Sequence, residues 1–281
     1  MPSVAAVIVT YNNPAMLRDL LGDLYLQSRA VDDIVVIDNG NPTGTEREVK
    51  MTHSRVRYAR MPENVGSAGG YREGIRIASA TADLVWTLDD DVRLEPDSLA
   101  RLLEGLEALR ATAQVGAVRC VGEGHRATQP TELALVPWRG TLFSVEAIRQ
   151  VGLPDGEFFL YGEDLEYSLR LRRLGYKFFW IPTSRCVERR HEKVSFAILG
   201  RWGEVSGSPF RLYYAFRNEV AIYLRHRCFL RLLHTVLYSL KVAVHFALCE
   251  GAGSRAKISA IGRGIRDGFQ HKLGRRSEYV P

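Results

Sequence analysis

The sequence predicts an α/β protein: a mostly parallel sheet with flanking helices, followed by a C-terminal helical region. Three observations carry this expectation. Through the N-terminal half, short apolar runs rich in β-formers alternate with stretches of helical period. Two of those runs, Ile34-Val-Val-Ile-Asp38 and Asp83-Leu-Val-Trp-Thr-Leu88, lead directly into carboxylates. From Pro209 onward the pattern changes to long helices. At 281 residues and 46% hydrophobic content, the chain can bury a full core as one large domain, or as a domain plus an appendage.

Val4 to Thr10 reads as the first strand; no basic segment precedes its apolar run, which argues against a signal peptide and against secretion. Asn13-Pro14 supplies an N-cap and a first-turn proline for a helix that turns Leu17, Leu20, Leu21, Leu24 and Tyr25 inward. Ile34 to Asp38 is the next strand, broken by Asn39-Gly-Asn-Pro42, so the spacing makes a right-handed βαβ unit with Asp38 at a strand's carboxyl end. Arg55 to Tyr58 is a short strand. The stretch Pro62-Glu-Asn-Val-Gly-Ser-Ala-Gly-Gly70 then feeds a helix from about Tyr71 to Ala80. Gly66, Gly69 and Gly70 permit a loop that approaches a ligand closely, or a plain glycine-rich turn; the spacing is neither a Walker loop nor a dinucleotide fingerprint.

The strand from Asp83 to Leu88 ends in Asp89-Asp-Asp91. Ligands of open α/β sheets bind outside the carboxyl ends of strands, and three adjacent anions repel one another unless a positive charge neutralises them. In an extended or turning backbone Asp89 and Asp91 project to one side and Asp90 to the other, so two of the three can share one hard divalent cation. A solvated acidic turn before the next helix fits the triplet equally well. That helix runs from Pro96 to about Arg110 with Leu99, Leu102, Leu103 and Leu106 buried; Gln114 to Val121 is a strand, and Gly122 to Pro130 a polar loop. Pro137-Trp-Arg-Gly-Thr-Leu-Phe143 enters a helix over Val145 to Val151. Behind the aromatic run Phe158-Phe-Leu-Tyr161, Glu163 and Asp164 open a helix to about Leu174, either as capping acids or as part of a site. Lys177 to Ile181 is the last strand expected.

The net charge of +6 is concentrated late in the chain: Arg170 to Arg231 holds fourteen Lys/Arg against four acids. Such a surface fits nucleic acid, anionic lipid or a phosphorylated substrate, and composition does not choose among them. Arg217, Arg225, Arg231, Lys241 and His245 interrupt the apolar helical stretches, which disfavours a transmembrane helix. The C-terminal helices are then a packed appendage, or an amphipathic basic surface with Trp202, Phe229 and Tyr238 as anchors. Four cysteines without metal-type or framework spacing imply reduced thiols and no disulfides.

In order along the chain stand Ile8-Val-Thr-Tyr11, Val36-Ile-Asp-Asn39, Glu63-Asn-Val-Gly66, Leu88-Asp-Asp-Asp91, Trp138-Arg-Gly140 and Gly162-Glu-Asp-Leu-Glu-Tyr167, with His191 beyond. As an ordered set they resemble the family 2 inverting glycosyltransferases of the GT-A fold. Asn64-Val-Gly-Ser-Ala-Gly-Gly70, the triple Asp and Tyr213-Tyr-Ala-Phe-Arg-Asn218 are most similar to the galactofuranosyltransferase and rhamnosyltransferase branch. The resemblance runs from Val4 to about His191, so it implies a catalytic domain over residues 1–205, and the change of pattern leaves a basic helical region over 206–281 that packs as an appendage or associates with a membrane.

It further implies roles. Thr10, Tyr11 and Asp38 hold the base and ribose of a nucleotide-diphospho-sugar, with Asn64 and Gly66 nearby; Asp89, Asp91 and His191 bind Mn²⁺ or Mg²⁺; Asp90 approaches the ribose; Trp138 forms an apolar wall for the sugar. Asp164 is the general base and Glu163 the second candidate. His191 also fits a solvated basic loop. The donor implied is UDP-galactofuranose, with dTDP-rhamnose as the alternative. The acceptor is a glycan or polyprenyl-diphosphate-linked sugar of bacterial surface polysaccharide, reached from the cytoplasm at the inner face of the membrane. The short chain favours adding one or a few residues over processive polymerisation. A nucleic-acid-binding module is the competing class; it leaves the acidic cluster unexplained.

Overall fold

The computed structural model describes residues 1–40, 45, 46, 49, 56–122, 124, 126–188, 194–198, 201–205, 207–250 and 253–279. Two compact units divide the chain: Met1–Asp155 with Asp164–Arg189, and Gly156–Glu163 with Arg190–Pro281.

The first unit is built on a sheet in the order β3-β2-β1-β4-β8-β6-β9-β5, with β7 added against β9. Its strands are β1 (Val4–Thr10), β2 (Asp33–Asp38), β3 (Val56–Arg60), β4 (Leu84–Asp89), β5 (Val92–Leu94), β6 (Val115–Val121), β7 (Thr131–Leu133), β8 (Thr141–Ser144) and β9 (Lys177–Glu188). The block β3-β2-β1-β4 is parallel throughout, as is β6 with β9. Between the two runs β8 lies antiparallel to both β4 and β6. Sequence reading missed β5, β7 and β8, because strands of three or four residues are too short to show a period.

Alternation along each strand sends side chains to two apolar layers. Val4, Ala6 and Ile8 face one layer, with α1 (Pro14–Tyr25) and α3 (Ser98–Arg110); Ala5 and Val7 face the other, with α2 (Gly66–Ala78), α4 (Val145–Val151) and α5 (Glu163–Arg173). Covering both faces is what a parallel block requires. Leu17, Leu20, Leu21 and Leu24 of α1 are buried as expected, but Tyr25 is exposed. Asn13 precedes α1 without capping it through its side chain, which turns to Asp90 instead.

Helix α2 starts five residues earlier than expected, and this corrects the reading of the glycine run. Gly70 and Gly74 are helical, and a Cβ on them would come within 2.6 Å of Val9 and 2.4 Å of Val7. Their missing side chains let the helix approach β1, so close packing explains these two glycines without a ligand.

The second unit holds the antiparallel pair β10 (Val194–Ile198) and β11 (Arg201–Val205), which sequence reading did not anticipate, and three helices. These are α6 (Pro209–Arg225), α7 (Phe229–Cys249) and α8 (Ser254–Phe269), joined by Leu212, Phe216, Val242, Phe246 and Ile261. Helix α8 packs backbone to backbone on α6: a Cβ at Gly264 would meet the Tyr213 carbonyl oxygen at 2.6 Å, and one at Gly268 the Arg217 carbonyl oxygen at 2.5 Å. At 21 residues with mean hydropathy 1.5, α7 is long and apolar enough to cross a membrane by length and composition. Only Arg231 and Lys241 of the interrupting Lys/Arg residues fall within it, since Arg217 and Arg225 belong to α6.

Candidate active site

Parallel neighbours present their carboxyl ends together, and the register pairs Thr10 with Asp38 across β1-β2 and Val9 with Asp89 across β1-β4. Thr10, Asp38, Asp89 and Asp90 therefore meet at one sheet edge. Asp89 ends β4, the triplet turns, and β5 begins at Val92. The turn is fixed on its far side by buried Asp23 of α1, which accepts from Arg93 Nε at 2.7 Å and from the Leu94 amide at 3.0 Å.

Asp89 and Asp90 separate as the alternation predicts. Asp90 accepts from the Thr10 hydroxyl at 2.6 Å and from Asn13 Nδ2 at 3.4 Å, on the α1 side. Asp89 accepts from the Tyr71 hydroxyl at 2.5 Å, on the α2 side. Asp91 is buried. Burial, with repulsion from Asp91 and Asp89, lifts the Asp90 carboxyl to about 6, against the opposing bonds from Thr10 and Asn13.

Asp164 lies in the first turn of α5, and its Oδ1 accepts from the Leu165 amide at 2.7 Å. Burial pushes its carboxyl above the usual range; the negative Asp89 adds to that push and Arg139 opposes it. Asp89 and Asp164 are thus close enough to repel each other. Glu163, the second expected acid, is buried beside it in sequence.

Asp38 is 1% exposed, and its oxygens accept from the Gly40 amide at 2.7 Å and the Tyr58 hydroxyl at 2.5 Å. Burial and this carboxylate together hold the Tyr58 hydroxyl above the ordinary phenol range. Asn64 Oδ1 accepts from the Gly66 amide at 2.8 Å, and Gly66, in the left-handed region at φ 70°, returns its carbonyl to Asn39 Nδ2 at 2.9 Å. Tyr11 is 41% exposed, open to a ligand, while Thr10 is buried. Trp138 departs from expectation. It is 4% exposed, stacked on Tyr71 at 5.0 Å and packed on Phe143 and Tyr167, so it is a core residue and not a free wall for a sugar. His191 lies outside the described residues.

Asn39, Tyr58 and Tyr71 bond to candidate site residues, and Arg139 lies in the field of Asp164; sequence reading left all four without a role. Asn39 and Arg139 stood inside the motifs Val36-Ile-Asp-Asn39 and Trp138-Arg-Gly140, a signal that could have found them. Tyr58 and Tyr71 gave none, since an aromatic on a strand or helix reads as core. Among the described residues no cluster of three or more His, Cys, Asp or Glu is arranged around a metal-sized point. Asp89 and Asp91, which flank Asp90 in the same turn and both repel it, have the chemistry of hard-cation ligands: Mg²⁺-type sites take one or two carboxylates and complete their shell with water and substrate phosphate.

The family model for glycosyl transferase family 2 matches residues 5–162. The chain belongs to that family. A second model, glycosyl transferase family group 2, matches residues 124–249 of this glycosyltransferase. The glycosyltransferase is 29% identical over 251 residues to galactofuranosyltransferase GlfT1 of Mycobacterium tuberculosis, which covers 77% of this chain and 81% of the relative. Among solved structures it resembles mannosyltransferase PcManGT from Pyrobaculum calidifontis in complex with GDP-Man and Mn²⁺, with TM-score 0.60 and 18% identity over 96% of this chain and 88% of that one. It also resembles S. aureus TarS 1-349 in complex with UDP-GlcNAc, with TM-score 0.62 and 14% identity over 94% and 81% of the two chains. The glycosyltransferase has the GT-A fold that its motifs implied.

Proposed function

We propose that this glycosyltransferase moves galactofuranose from UDP-galactofuranose, with inversion, to a glycan or polyprenyl-diphosphate-linked acceptor of bacterial cell-surface polysaccharide synthesis, working at the inner face of the cytoplasmic membrane. The similarity to GlfT1 supports the donor. The observation that carries the chemistry is the shared field of Asp164 and Asp89 at the sheet's carboxyl edge, where one acid opens a helix and the other ends a strand.

In this reading Asp89 and Asp91 hold Mn²⁺ or Mg²⁺, with His191 as a further ligand. A cation held there would offset the charge of the donor diphosphate and of the leaving group. Thr10 and Asn13 hold Asp90 apart from that pair, placing it for the ribose, while Tyr11, Asp38, Asn64 and Gly66 frame the nucleotide. Asp164 takes the proton of the acceptor hydroxyl as that oxygen attacks from the face opposite the diphosphate. A carboxyl raised toward neutrality is a stronger base once ionised, and Arg139 favours its ionised form.

The test is turnover by the full chain of UDP-galactofuranose, UDP-galactose and dTDP-rhamnose, each with Mn²⁺ and with chelator, and the product anomer read by NMR. Cation-dependent transfer of galactofuranose with inversion is expected. Preference for dTDP-rhamnose would move the donor assignment, and failure to bind any sugar nucleotide would defeat the reading.

A further inference from the structure

Helix α7 divides into two apolar faces with different fates. Leu232, Val242 and Phe246, with Thr235 and Ser239, are buried within the second unit. On the opposite side Leu230, Leu233, Leu237, Leu240, Val244 and Leu248 are exposed, by 50% at Val244 and 85% at Leu230. Their spacing of three and four residues puts them in one stripe about 27 Å long. A continuous apolar stripe of that length is more than the scattered surface hydrophobics of a soluble protein and marks an interaction surface.

The residues bordering the stripe identify its partner. Helix α7 contains no Asp or Glu, and His234, Lys241 and His245 run along one edge of the stripe. The same side opens into a cavity of about 250 Å³ lined by Tyr223, Arg231, His234, Thr235 and Tyr238, with Glu219 on its wall accepting from the Thr235 hydroxyl at 2.8 Å. Leucines bordered by Arg231, Lys241 and Tyr238, with no acid on α7 itself, complement an anionic lipid interface. A second copy of this helix would gain leucine packing, but α7 would offer it Arg231 and Lys241 with no acid on the same helix to pair with them.

We propose that α7 lies in the plane of an anionic membrane surface, its leucine stripe in the acyl boundary and its basic edge at headgroup level. The proposal rests on the membrane location given above and names the element responsible. Crossing the bilayer is disfavoured by the fold. The buried face of α7 packs on α6 and α8, and α8 carries Arg255, Lys257, Arg263 and Arg266. Taking those charged side chains into hydrocarbon would be strongly unfavourable.

The experiment uses the full chain and the double variant Leu237→Glu, Leu240→Glu, both at exposed positions, so the fold should survive; matching circular dichroism and turnover on a soluble acceptor verify that. Co-sedimentation with phosphatidylglycerol-containing and pure phosphatidylcholine vesicles is measured across a salt series. The expected result is binding of the wild type to anionic vesicles, with affinity lowered at least about tenfold in the variant. Equal binding of variant and wild type would overturn the role of α7 while leaving the membrane reading standing. Absence of wild-type binding to either vesicle would defeat both. A wild type that resists alkaline extraction would establish a spanning helix, and a vesicle-free dimer abolished by the variant would assign the stripe to a second copy; either overturns the proposal.

Discussion

Each unit contains a buried polar cluster, and the two are built oppositely. In the second unit Arg217 is fully buried, with NH1 donating to the Gly274 carbonyl at 2.6 Å, NH2 to the Phe158 carbonyl at 2.8 Å and Nε to Asn218 Oδ1 at 2.8 Å. Its guanidinium also covers the rings of Tyr213 and Tyr214 at 5.5 and 4.6 Å. Asn218 Nδ2 lies 2.6–2.9 Å from the carbonyls of Phe158, Leu160 and Tyr161, holding a segment in which Phe159, Tyr161 and Gly162 all adopt positive φ. This cluster is satisfied from within and acts as architecture. In the first unit Asp89, Asp90, Asp91 and Asp164 crowd like charges, and Asp90 and Asp164 are raised in consequence of burial and of one another's neighbours. The contrast fits the proposed reading, in which a bound cation and donor would meet the second cluster.

The largest expected effect belongs to the strained cluster. Asp164→Asn keeps shape and removes the proposed base, so turnover should fall roughly 10²–10⁴-fold with donor affinity nearly unchanged. Steady-state kinetics beside calorimetric donor binding reads both quantities. Wild-type turnover in that variant would erase the functional side of the contrast and bring Glu163 forward.

The architectural cluster should show the opposite pattern, a large loss of stability without a selective effect on donor binding. Asn218→Leu strips the amide from three carbonyls and from Arg217 Nε, an expected loss of about 2–4 kcal/mol in chemical unfolding. An unfolding midpoint matching the wild type would show that the cluster is not what holds the segment.

A smaller effect concerns cation and proton together. Asp90 titrates near 6 when folded against 3.8 ordinarily, so between those values the folded state binds more protons and the metal-free protein loses stability as pH rises. A divalent cation relieves that repulsion, so the rise in Tm produced by Mn²⁺ should be larger at pH 7.5 than at pH 5. An equal rise at both would mean the cation does not meet the triplet.

The smallest effect is Trp138→Phe. A packed aromatic replaced by a smaller one should cost about 1–2 kcal/mol in stability and leave the donor KM within roughly threefold. A KM raised tenfold or more at unchanged stability would restore Trp138 to the sugar wall.

Much of the fold was legible because its signals are local. Pro14 at a helix start, the runs ending at Asp38 and Leu88, and the acids before Leu165 each declare an element within a dozen residues, and parallel strands then carry Asp38 and Asp89 to one edge. What escaped depends on partners distant in the chain. Strand β8 is four residues whose antiparallel place between β4 and β6 comes from the sheet. Trp138 is an aromatic beside a motif until Tyr71, Phe143 and Tyr167 close over it, and Gly70 looks like part of a ligand loop until Val9 lies against it. The sequence by itself determined which residues are apolar or charged and with what period; only the tertiary structure decided which apolar face of α7 found a neighbour and which carboxylates were left to repel, because burial is a property of what packs against a residue.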